Sequence, residues 1–151
     1  MPNAEITTET GEELSLREKI LILHYLATAK GTLLSNKQIA FRELPEGATY
    51  FRSFSQRTLK PLANFFGKEP ARLIEVAQKI GGRKAEFGDA SVTINAFPKV
   101  PITLVIWKGD NEFPPDANIT FDNTITDYLS VEDITVICEI ITWKMIRGLK
   151  T

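Results

Sequence analysis

Cysteine and histidine are nearly absent from this sequence: its 151 residues hold one of each, Cys138 and His24. A single cysteine excludes an intrachain disulfide framework. One thiol and one imidazole are also too few soft ligands for a zinc or iron–sulfur site built by this chain alone. No apolar run approaches the ~20 residues that span a bilayer. The N-terminus carries no basic stretch followed by an apolar core, so the expectation is a cytoplasmic protein that does not engage a membrane. A Gly-rich phosphate loop and a Gly-x-Ser-x-Gly nucleophile elbow are missing too, and Gly81-Gly82 reads as a helix stop.

What is present is ordinary for a folded domain. The composition is 43% hydrophobic and 25% charged, without low-complexity tracts, and the length suits one core. The net charge of −1 conceals an uneven distribution: residues 17–84 hold thirteen bases against five acids, and residues 85–139 hold ten acids against two bases. A basic face for nucleic acid is one reading. The bases form no run and no nucleic-acid-binding motif accompanies them, so oppositely charged halves of one domain are the favoured reading. Residues 1–14, acidic and polar, read as a flexible lead or the remnant of a strand, ahead of a single domain over 15–151.

Ser15-Leu16-Arg17-Glu18 is a capping-box pattern, and Leu16, Ile20, Leu23 and Ala27 recur at helical spacing until Lys30-Gly31. His24 sits near the edge of that stripe with no acidic residue within a turn, which favours a packed imidazole over a catalyst. Ser35 to Tyr50 reads as short extended pieces around a Pro45-Glu46-Gly47 turn. Phe51 to Phe66 offers Phe54, Leu62, Phe65 and Phe66 to a core, and Pro61 should break or kink any helix there. Pro70 opens a helix with Leu73, Ala77 and Ile80 inward. Val92, Ile94 and Ala96 alternate with polar residues as in a half-buried strand. Pro98 to Pro101 connects to an apolar strand over 102–107, and Ile119 and Phe121 mark a third. Ser130-Val131-Glu132-Asp133 caps a last helix carrying Ile134, Cys138, Ile141 and Met145. Cys138 reads as a buried small hydrophobe. The short links predict an α+β fold: an antiparallel meander of at least three strands with helices packed on one face.

Antiparallel geometry decides which acids can meet. Asp89 falls at the same sheet end as Asp110 and Glu112, beside Trp107, whereas Asp122 falls at the other end and suits a cap for the turn at 123–126. Three carboxylates together could bind Mg²⁺ or Ca²⁺, or act as acid and base. Alternatively they serve as turn hydrogen-bond acceptors, since the spacing matches no calcium loop. Arg42 and Arg57 are the bases expected to pair with that cluster or to offer a fork to an anionic ligand.

The segments Ile20-Leu21-Ile22-Leu23-His24-Tyr25-Leu26, Phe41-Arg42-Glu43-Leu44-Pro45 and Tyr50-Phe51-Arg52-Ser53-Phe54-Ser55-Gln56-Arg57 resemble a known family. So do Gly81-Gly82, Gly88-Asp89-Ala90-Ser91, Trp107-Lys108-Gly109-Asp110-Asn111-Glu112-Phe113-Pro114, Phe121-Asp122 and Tyr128-Leu129-Ser130-Val131-Glu132-Asp133. The family is the domain-of-unknown-function family 3786, found in anaerobic bacteria and archaea, and the resemblance spans roughly residues 15–146. It implies a setting near redox or corrinoid metabolism, because some members resemble fusions to an iron–sulfur domain of the kind found in corrinoid proteins. This chain, with one cysteine, lacks the cysteines for a cluster, so a corrinoid or iron–sulfur cluster would sit on a partner. The family pattern also implies an extra strand region ahead of the first helix, where this chain starts late.

The leading expectation is therefore an accessory domain that binds a small anionic ligand or a redox (iron–sulfur or corrinoid) protein partner. The alternative is an enzyme using Asp89, Asp110 and Glu112 for metal-assisted or acid–base chemistry. Polyanion binding through the basic first half trails both, and the oligomeric state is left open.

Overall fold

The computed structural model describes residues 15–28 and 34–149. The acidic lead over 1–14 and the Lys30-Gly31 helix stop lie outside the described residues.

Five strands form one antiparallel sheet in the order β1-β5-β4-β3-β2. They are β1 Gln38–Ala40, β2 Arg83–Lys84, β3 Ala90–Phe97, β4 Val100–Trp107 and β5 Asp116–Asp122. Strands β2 to β5 follow in sequence as the expected meander, and β1 joins the outside of β5. The β3–β4 connection is tighter than expected: Phe97 already pairs with Val100, leaving only Pro98-Lys99 as the turn.

The strand period of two separates the faces. Ile102, Leu104 and Ile106 are fully buried on the core face, flanked by Val92 and Ile94 of β3 and by Ile119 and Phe121 of β5. The opposite face is mostly polar, Val105 apart, with Thr93 and Thr103 Oγ1 atoms 2.9 Å apart and Thr120 Oγ1 donating to Gln38 Oε1 at 2.7 Å.

The helices cover the core face. They are α1 Leu16–Thr28, α2 Gly47–Phe54, α3 Lys60–Phe66, α4 Ala71–Lys79 and α5 Val131–Gly148. The Ser130 hydroxyl accepts the Asp133 N–H at 3.1 Å, and α5 buries Ile134, Cys138, Ile141 and Met145 as the spacing predicts. Helix α4 stops at Gly81-Gly82, where the Gly82 N–H donates to the Ala77 carbonyl at 2.8 Å. Val76 joins Leu73 and Ala77 in the core, whereas Ile80 lies 42% exposed just past the last turn.

Other local expectations are corrected: Phe65, expected in the core, is exposed, and Gly47 to Tyr50, expected to be extended, opens α2. In α1 the inward residues are Leu21 and Tyr25; Leu16, Ile20 and Leu23 are exposed. The first helix is apolar nearly all round, so its periodicity does not select a face, and the ring stack of Tyr25 on Phe97 at 4.3 Å does. Pro61 does not end its helix either. A proline ring clashes with the carbonyl four residues back, and here a π turn at Ser55–Leu59 widens the backbone, with the Lys60 N–H donating to the Ser55 carbonyl. Helices α2 and α3 thus run on through one bulge.

Candidate functional site

The expected carboxylates do share one end of the sheet, and backbone donors already occupy two of them. Asp89 Oδ2 accepts the Lys108 N–H at 2.6 Å, across the β3–β4 pair. Asp110 Oδ1 accepts the Glu112 and Phe113 N–H groups at 2.8 and 2.7 Å, closing the loop after β4. Those bonds, Phe113's first and then Glu112's, hold the Asp110 carboxyl below its ordinary value against a small opposing desolvation. The Glu112 side chain is exposed. Among the described residues, no group of three or more His, Cys, Asp or Glu side chains is placed to hold a metal ion.

Beside this loop lies a groove of about 690 Å³. Its walls come from three places. The first is the 3₁₀ helix Phe41–Glu43, which carries Arg42. Phe41 is buried and stacked on Phe54 with ring centroids 3.9 Å apart. Gly47 packs so closely that a Cβ there would fall 2.0 Å from the Phe41 carbonyl oxygen. This anchorage turns Arg42 outward, its guanidinium 4.0 Å over the Phe51 ring. Glu43 is spent locally, its Oε1 accepting the Ala40 N–H at 3.0 Å.

The second wall is the π turn and α3, which supply Ser55, Leu59, Lys60 and Asn64. The third is the loop into β5, with Trp107, Pro114, Pro115, Asp116 and Asn118. Pro115 lies against the end of α3, where a Cβ on Gly67 would meet the Pro115 ring at 2.3 Å. Asp116, the carboxylate of the lining, accepts the Ala117 N–H at 2.8 Å. Among the described residues neither Arg42 nor Lys60 has an acidic partner within ion-pair distance.

The residues singled out from sequence therefore divide. Arg42 and Trp107 line this groove. Asp89, Asp110 and Glu112 belong to the neighbouring turns. Arg57 lies elsewhere, in a smaller groove of about 280 Å³ with Tyr50, Ser53 and the start of α5. Neither arginine pairs with the carboxylates among the described residues. Sequence reasoning missed Phe51, Lys60, Asn64 and Asn118; the one local signal was Pro61, whose π turn positions Lys60.

Other polar residues have structural work. His24 Nδ1 lies 2.8 Å from Asp133 Oδ1, a partner brought from α5 that helical spacing could not reveal. Asp122 sits at the far end of β5, 2% exposed. It accepts the Thr124 N–H and hydroxyl, as expected of a cap, and also the Ser35 and Asn36 N–H groups and the Ser35 hydroxyl. Desolvation pushes the Asp122 carboxyl up, but the hydrogen bonds from Thr124, Ser35 and Asn36 outweigh it and hold the group below its ordinary value. Cys138 is fully buried, and burial pushes its thiol far up, so it is not a nucleophile at neutral pH.

The sequence model of a family described as Domain of unknown function (DUF3786) matches residues 1–143. No curated protein and no solved structure matches the chain. No helix among the described residues is long and apolar enough to cross a membrane.

Proposed function

The chain belongs to the DUF3786 family, and from that premise we propose a non-catalytic accessory domain that holds a small anionic ligand in the groove between the π turn and β5. The observation that carries this reading is the state of the two cations. Arg42 is braced on the Phe51 ring at 4.0 Å, Lys60 stands in the same lining, and neither has an acidic partner among the described residues. A guanidinium fixed by a ring has little left to lose on binding, and its fork suits a carboxylate or phosphate. Asn64 adds an amide group, and Trp107 an aromatic wall. Some members of the family resemble fusions to an iron–sulfur domain of the kind found in corrinoid proteins, which suggests a redox protein as the partner such a module would serve.

The enzyme alternative has less behind it. Asp89 and Asp110 are engaged with backbone N–H groups, and those on Asp110 hold its carboxyl below its ordinary value, away from an acid or base poised near neutrality.

Isothermal titration with citrate, phosphate and pyrophosphate tests the proposal. The wild-type protein should bind at least one of these anions. Arg42→Ala should weaken that binding about tenfold or more, while Arg57→Ala, in the other groove, should leave it unchanged. Binding that follows Arg57 and ignores Arg42 would overturn the reading.

A further inference from the structure

Strand β1 has three residues and β5 has seven, and the mismatch leaves a gap in the sheet. Ala40 pairs with Thr120, after which the chain turns into the 3₁₀ helix, so among the described residues Asp116–Ile119 runs on with no strand on that side. The ladder says which groups face the gap. The Asn123 N–H donates to the Lys37 carbonyl, on the β1 side of β5. Across β4, Ala117 pairs with Ile106, whose own carbonyl is turned away to accept the Asp89 N–H. Alternating by two along β5 from either end, the N–H groups of Ile119 and Ala117 point into the gap.

Both are stoppered from within their own strand. The Ala117 N–H donates to Asp116 Oδ1 at 2.8 Å, and the Ile119 N–H to Asn118 Oδ1 at 2.9 Å. Such local bonds substitute for a ladder rather than extend it. An open edge is a template for another strand, and this one forms one side of the groove whose cations, Arg42 and Lys60, are unpaired among the described residues.

We infer that this gap is a strand-addition site, and that its occupant is an acidic extended segment of a partner protein. About four residues would span Asp116–Ile119 at a rise of roughly 3.3 Å each. Its backbone replaces the Asp116 and Asn118 stoppers at Ala117 and Ile119, and its carboxylates meet Arg42 and Lys60. This rests on the anionic-ligand reading above and names the ligand as a peptide.

The test uses an end-capped peptide of alternating glutamate and valine, beside twins of equal charge carrying backbone N-methyl groups on alternate residues, in both phases. Calorimetry should show the plain peptide binding one to one, and at least one twin binding about tenfold more weakly. Amide spectra should shift at Ala117 and Ile119. Asn118→Ala, which removes a stopper without changing charge, should bind the plain peptide more tightly. Equal binding of peptide and both twins, all still dependent on Arg42, would overturn strand addition and leave the anion reading standing. Citrate and peptide both indifferent to Arg42→Ala would remove both readings. Self-association of Asn118→Ala in place of peptide binding would make a second copy the occupant and overturn the partner segment.

Discussion

Two neighbouring regions at one end of the sheet, joined by Trp107, treat their charges in opposite ways. In the turns around Gly88 and Gly109, Asp89 and Asp110 are consumed by the backbone, and their carboxylates accept Lys108, Glu112 and Phe113 N–H groups. In the adjoining groove, Arg42 and Lys60 face about 690 Å³ of open space without an acidic partner among the described residues. A cluster of charge is informative only when its hydrogen-bonding capacity is unspent. Asp89 and Asp110 shape the turns, whereas Arg42 and Lys60 are cations left to meet something else.

The largest expected effect comes from the most fully spent carboxylate, Asp122. Asp122→Ala strands the donors of Ser35, Asn36 and Thr124. It should cost about 3 kcal/mol in urea unfolding, on the order of 10 °C in Tm. A change near zero would break the distinction between spent and unspent charge. The same residue should shape the acid limb of stability. Its folded pKa is lowered from 3.8, so its contribution is complete above that ordinary value and is lost as pH falls through the lower folded one. Asp122→Asn should flatten that part of the profile, measured as urea midpoints between about pH 2 and pH 5.

On the groove side, Arg42→Ala should cost little stability, on the order of 0.5–1 kcal/mol for the lost contact with Phe51, while weakening anion binding. A large loss of Tm without loss of binding would move Arg42 to the structural class. The smallest effect belongs to Asp110→Ala. Removing the acceptor for two loop N–H groups should lower Tm slightly, leave anion binding unaltered and sharpen the contrast between the regions.

Much of this arrangement was legible in the residues. The meander follows from Val92, Ile94 and Ala96 and the apolar 102–107 run, and the α5 cap follows from Ser130 and Asp133. The assignment of Asp122 to the far end needed only antiparallel geometry. What the sequence could not show was long-range or conformational. The inward face of α1 depends on Phe97 and Tyr128, residues far along the chain that stack on Tyr25. Pro61 announces a disturbance but not its kind; the π turn, rather than a break, brings Lys60 into the groove lining with Arg42. The edge of β5 left unpaired among the described residues is a length mismatch with β1, invisible until both strands are in register.

The central claim is that anions meet the groove and not the carboxylate turns. One calorimetric series tests it most directly: the best-bound anion titrated into wild type, Arg42→Ala and Asp110→Ala. The account predicts equal affinity for wild type and Asp110→Ala, and at least about tenfold weaker binding for Arg42→Ala. Full binding by Arg42→Ala, or its loss in Asp110→Ala, would contradict it.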